Sequence, residues 1–176
     1  MHGVQQGAWL DQEDKRTAAA IRKYGWLIEY VGGGCCDVPG CDGGKLAGPP
    51  FAYTVGLFGL GHPELLVIGA PMNMAYGVIN DLGGHIRDGQ DLVVGQLLTF
   101  KKWPHRIVVE AVPNPGEIVL AANRYYQRPD AASVPAHQLS YDDKAGRFPW
   151  QADCAAPEMQ RNECRRHIVT DPGKFD

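Results

Sequence analysis

The chain has 176 residues, 44% of them hydrophobic, with 17 basic and 20 acidic side chains and a net charge of −3. That length and composition suit one domain with a real core, and the mildly acidic balance excludes a chain devoted to gripping nucleic acid through its phosphates. The most apolar run, Leu65–Ala70, is six residues long, against the roughly 20 that a membrane span needs.

Asp11 can cap a helix with Asp14 at its third position, and Thr17, Ala18, Ile21 and Tyr24 recur at helical spacing until Gly25 stops them. Trp26–Val31 is β-branched and aromatic and reads as the first strand. Gly32 to Pro50, rich in glycine, proline and cysteine, is a long loop. Phe51–Leu57 alternates large and small residues as a half-buried strand does. A turn at Gly59, Gly61 and Pro63 leads to Leu65–Gly69, apolar on both faces and so predicted as a central strand covered twice. Pro71 opens a helix whose apolar stripe is Ala75, Val78, Ile79, Leu82 and Ile86. Leu92–Phe100 and Arg106–Val112 are two further predicted strands. Asn114-Pro-Gly-Glu117 starts a helix to about Tyr126. His137–Tyr141 is the last strand.

These elements predict an α+β fold: a mostly antiparallel sheet with about three helices packed on one face. One domain is expected over residues 1–155, followed by a polar tail or short helix over 156–176. The basic cluster Arg161, Arg165, Arg166 and His167 is interleaved with Glu158 and Glu163 and reads as a solvated helix face. The start, Met1-His-Gly-Val-Gln-Gln-Gly-Ala, lacks the charged and apolar regions of a secretory signal, so the expectation is a cytoplasmic protein with no membrane or nucleic-acid partner.

Three blocks carry a family likeness: Phe51-Ala-Tyr-Thr-Val-Gly-Leu with Gly61-His-Pro-Glu-Leu-Leu-Val67; Asn123-Arg-Tyr-Tyr126; and Gly146-Arg-Phe-Pro-Trp150. In this order they resemble the bacterial "domain of unknown function 4262" family over roughly Trp26 to Trp150. The last strand departs from the family's aromatic-Pro-Asp ending, reading Ser140-Tyr-Asp-Asp143, and the Cys35–Cys41 loop is a local elaboration. The resemblance implies kinship of fold and carries over no catalytic residue.

Candidate sites follow from residue chemistry. His62 and Glu64, two apart, can act as general base and orienting carboxylate; equally, they can shape the turn and cap backbone. Gly56, Gly59 and Gly61 lack the spacing of a phosphate loop. Arg147 offers a forked cation for a carboxylate or phosphate, and Tyr53 and Trp150 offer aromatic surface for a ligand, alongside Trp26, Trp103 and Tyr141; packing is the alternative role for all of these aromatics. Five cysteines, an odd count, point to a reducing compartment. Cys35 or Cys36 with Cys41, together with Cys164 and His167, form a candidate zinc set, although only Cys164-Arg-Arg-His167 has ligand-like spacing. The leading reading is a bacterial or mobile-element module that binds a protein or small ligand, with no assignable reaction. Its alternative is a hydrolase using His62 and Glu64, aided by zinc; the sequence leaves open whether the domain is an enzyme.

Overall fold

Residues 2–32, 49–155 and 160 are described in a computed structural model, and within them six strands form one sheet flanked by three α-helices. In chain order these are α1 (His2–Tyr24), β1 (Leu27–Val31), β2 (Phe51–Val55), β3 (Glu64–Ile68), α2 (Met72–Arg87), β4 (Leu97–Leu98), β5 (Ile107–Ala111), α3 (Leu120–Tyr125) and β6 (Ala136–Tyr141). The sheet order is β1-β2-β3-β6-β5-β4. Only β3 and β6 run parallel; the other pairings are antiparallel. This is the expected α+β architecture.

Leu65–Ile68 is buried at every position, as a strand covered on both sides must be. The helices divide between the two faces, where the sequence pattern suggested one. Leu65 and Val67 pack with Ile79 and Leu82 of α2, whereas Leu66 and Ile68 pack with Val119 and Ala122 beside and within α3. Successive residues of a strand point to opposite faces, so each layer takes alternate β3 side chains. A fully buried Leu or Ile contributes about 1.5–3 kcal/mol, so β3 anchors both layers.

Three predicted boundaries move. Helix α1 starts at His2 rather than Asp11; no proline interrupts residues 2–10, so nothing in the backbone forces a start at Asp11. Of the strand expected over Leu92–Phe100, only Leu97–Leu98 pairs as a strand. Gly95 turns the chain at φ 88°, leaving Val93 and Val94 more than half exposed. The helix expected from Asn114 breaks into a single 3-10 turn, Pro115–Glu117, and the short α3. The predicted tail over 156–176 lies, apart from Gln160, outside the described residues.

Two glycines permit close approaches. A Cβ on Gly56 (φ 139°) would lie 2.7 Å from the carbonyl oxygen of Gly25. One on Gly83 of α2 would lie 2.7 Å from the Trp26 ring. Gly83→Ala is therefore expected to cost about 1–3 kcal/mol through overpacking, net of its better helix propensity; a lowered urea midpoint at unchanged slope checks this.

Candidate functional site

The turn between β2 and β3 is organised by a buried carboxylate. Residues Leu57–Leu60 form one 3-10 turn, whose opening amides have no carbonyl partner within the turn. Glu64, fully buried at the start of β3, reaches back to supply one. Its Oε1 accepts the amides of Gly56 and Phe58 at 2.9 and 3.2 Å. Its Oε2 accepts the amide of Leu57 at 3.2 Å and the Thr54 hydroxyl at 2.5 Å. Thr54 in turn accepts the amide of Leu65 at 2.9 Å. Burial pushes the Glu64 acid up to about 7, against the four donors that favour its charged form.

His62 is also buried and also engaged with backbone. The amide of Leu92 donates to Nε2 at 3.1 Å, so that nitrogen carries the lone pair. The proton then resides on Nδ1 and is donated to the carbonyl of Pro63 at 2.7 Å. The ring meets that of His137 edge-on at 5.5 Å; burial, then the neighbouring His62, pushes His137 down. No hydrogen bond joins His62 to Glu64 among the described residues. Each holds a piece of chain.

Of the three ligand residues expected from sequence, Tyr53 is buried and Trp150 is partly exposed, and both make contacts within the fold. The Tyr53 hydroxyl accepts the amide of Ala121 at 3.1 Å, tying β2 to α3. Trp150 stacks on Phe148, centroids 5.0 Å apart and nearly parallel, with the Arg106 guanidinium 5.2 Å from the Phe148 ring centre. Arg147 lines a cleft.

That cleft, about 480 Å³, lies beyond the end of β6 and includes His105, Tyr141, Asp142, Lys144, Arg147 and Cys154 in its lining. Its hub is Asp142, almost wholly buried. The Asp142 carboxylate accepts the backbone amide of Arg106 at 2.8 Å and its Nε at 2.7 Å. The backbone carbonyl of Asp142 accepts Nδ1–H of His105 at 2.6 Å, with Oδ1 of the carboxylate 3.4 Å from the same nitrogen. Nε2 of His105 takes no hydrogen bond among the described residues. Trp103 and Tyr141 flank the ring at 5.0 and 5.7 Å.

The opposite wall is a loop shaped by Asp143. Its carboxylate accepts the amides of Arg147, Ala155 and Ala145 at 2.9, 3.0 and 2.8 Å, which hold it below the usual carboxylate range. Arg147 donates from Nη1 to the carbonyl of Asp153 at 2.7 Å, leaving its remaining N–H donors for other partners. The Tyr141 hydroxyl donates to the carbonyl of Gly69 at 3.0 Å.

Sequence reading missed His105, Arg106 and Asp142. Nothing local marks them; they meet only because β5 and β6 pair with Ile107 opposite Tyr141. The zinc candidates Cys35, Cys41, Cys164 and His167 lie outside the described residues, as does Cys36. Among the described residues, no group of three or more His, Cys, Asp or Glu could hold a metal. Nor is any helix there long and apolar enough to cross a membrane.

Comparison with known proteins gives one match. The family model described as "Domain of unknown function (DUF4262)" fits residues 20–155. No curated protein and no solved structure matches.

Proposed function

We propose that this chain, which belongs to the DUF4262 family, is a small-ligand-binding module whose ligand presents an anionic head to the cleft beyond β6. The carrying observation is the division of labour among that cleft's charged groups. Asp142 is committed to Arg106 and His105, and Asp143 to loop amides. The third acid of the lining, Asp153, is exposed to solvent and holds Arg147 through its backbone carbonyl. The cations keep capacity to spare: Arg147 uses Nη1 on Asp153, and Lys144 is exposed. An entering carboxylate or phosphate would thus meet unspent donors, with the Tyr141 ring and Nε2 of His105 beside it. The cleft's size falls within the range of small-molecule sites, about 300–1,000 Å³.

No reaction follows from family membership. The hydrolase reading has little support, because His62 and Glu64 are both buried and engaged with backbone groups, Glu64 with its own turn and His62 with Pro63 and Leu92. Zinc binding by Cys35, Cys41, Cys164 and His167 rests on sequence spacing alone. A cytoplasmic setting is supported by the odd cysteine count and the partly exposed Cys154 thiol.

A thermal-shift and calorimetric screen of small carboxylates and phosphates tests the proposal. Hits should bind Arg147→Gln at least about tenfold more weakly, with the unliganded melting temperature nearly unchanged because Arg147 is exposed at the rim. Equal affinity in the variant, or no anionic ligand for the wild-type chain, would overturn it.

A further inference from the structure

A second hollow, sharing no lining residue with the cleft beyond β6, lies between α1 and α2, with a volume of about 540 Å³. Its walls are two helical rows. Arg16, Ala20 and Tyr24 line it from α1, and Tyr76, Asn80, Gly84 and Arg87 line it from α2. Residues spaced by three or four share a helix face, so each row is one continuous wall. The space exists because the rows carry almost no side chain at their centres: Ala20 ends at Cβ, and a Cβ placed on Gly84 would meet nothing within 4 Å.

The floor is preset. Trp26 is pinned by its indole N–H, which donates to Oδ1 of Asn80 at 3.1 Å, and its ring lies against the α2 backbone at Gly83. Tyr76 is fixed by donating its hydroxyl to the carbonyl of Ile28 at 3.3 Å. The Arg87 guanidinium sits 5.8 Å from the Trp26 ring centre, within cation–π range.

Charge decides the occupant. None of the lining residues is acidic, and two are arginines. Each arginine has a carboxylate partner on or just beyond its own helix: Glu13 at 3.1 Å for Arg16, and Asp88 at 3.7 Å for Arg87. Both arginine side chains are more than half exposed, so these pairs are worth only about 0–1 kcal/mol and leave most donors available. We infer that this groove is a second binding site, for a small aromatic anion whose ring lies against the exposed rings of Tyr24 and Tyr76, at the edge of the buried Trp26, and whose acid group is forked by Arg16 and Arg87. The inference is independent of the cleft beyond β6.

Phenyl phosphate is a suitable probe, with benzyl alcohol as its neutral control, each titrated into 15N-labelled protein. Phenyl phosphate should move the Gly84 amide and Trp26 indole resonances and bind at least about tenfold more tightly than benzyl alcohol. Gly84→Leu fills the hollow and should abolish that binding. It should still fold at least as stably, since the added side chain enters open space and leucine is the better helix former. Arg16→Gln combined with Arg87→Gln should erase the preference for the anion, while Arg147→Gln leaves groove binding unchanged. The inference is overturned if phenyl phosphate leaves both wild-type resonances unmoved, if a stable Gly84→Leu binds as well as wild type, or if benzyl alcohol binds equally.

Discussion

Glu64→Ala is expected to lower the unfolding free energy by about 3–5 kcal/mol. The substitution strands three backbone amides and the Thr54 hydroxyl in a buried turn and opens a void beneath them. Glu64→Gln keeps the shape but offers one acceptor oxygen where the carboxylate offers two. A smaller loss of about 1–3 kcal/mol is expected for it. Comparing the two separates lost packing from lost acceptors.

The same residue should give the fold a pH dependence. Burial raises the Glu64 acid to about 7 in the fold, from an ordinary 4.5. A raised acid binds its proton more tightly when folded, so its contribution to stability is complete below about 4.5 and is lost as pH rises through about 7. A displacement of that size corresponds to about 3 kcal/mol across the window. Urea unfolding at a series of pH values should show wild-type stability falling over this range, with the fall absent from Glu64→Gln. Parallel curves for the two proteins would show that Glu64 is ionised throughout.

Asp142→Ala is the second large effect, expected at about 2–4 kcal/mol. The carboxylate is buried, but its partner Arg106 is 43% exposed and can rehydrate, which keeps the cost below that of a fully buried pair. Loss of this anchor also frees Arg106 from its place over Phe148 and loosens the segment carrying His105. Ligand affinity in the cleft should therefore fall along with stability. A double-mutant cycle with Arg106→Ala measures the coupling directly, and additive effects would mean that the two residues do not act as a pair.

How far the sequence disclosed this molecule depended on whether the determining contact was local. The alternation in Phe51–Val55 and the apolar run Leu65–Ile68 revealed two strands, because a strand's burial is written in its own residues. The stripe on α2 was readable for the same reason: all five of its predicted apolar positions are buried. Val93 and Val94 misled because β-branched residues favour strands wherever they occur, and only the Gly95 turn and the solvent around them show that no strand forms.

Within the candidate site, His62 and Glu64 stood out as chemistry-bearing neighbours. Their role depended on which groups they reach: the amides that follow β2 and the backbone of Leu92. The cleft was less legible still. His105 and Asp142 are 37 residues apart, and each lies in a polar turn with no distinguishing neighbour. Strand register unites them. No pattern along the chain encodes that meeting.

The most direct measurement for ligand binding beyond β6 is the location of bound fragments in crystals soaked with small carboxylates and phosphates. Anionic fragments are expected to occupy the cleft, with an acid oxygen on Arg147 and the body against Tyr141 near Nε2 of His105. A cleft left empty by every fragment, at concentrations that fill other surfaces of the same crystals, would contradict ligand binding there.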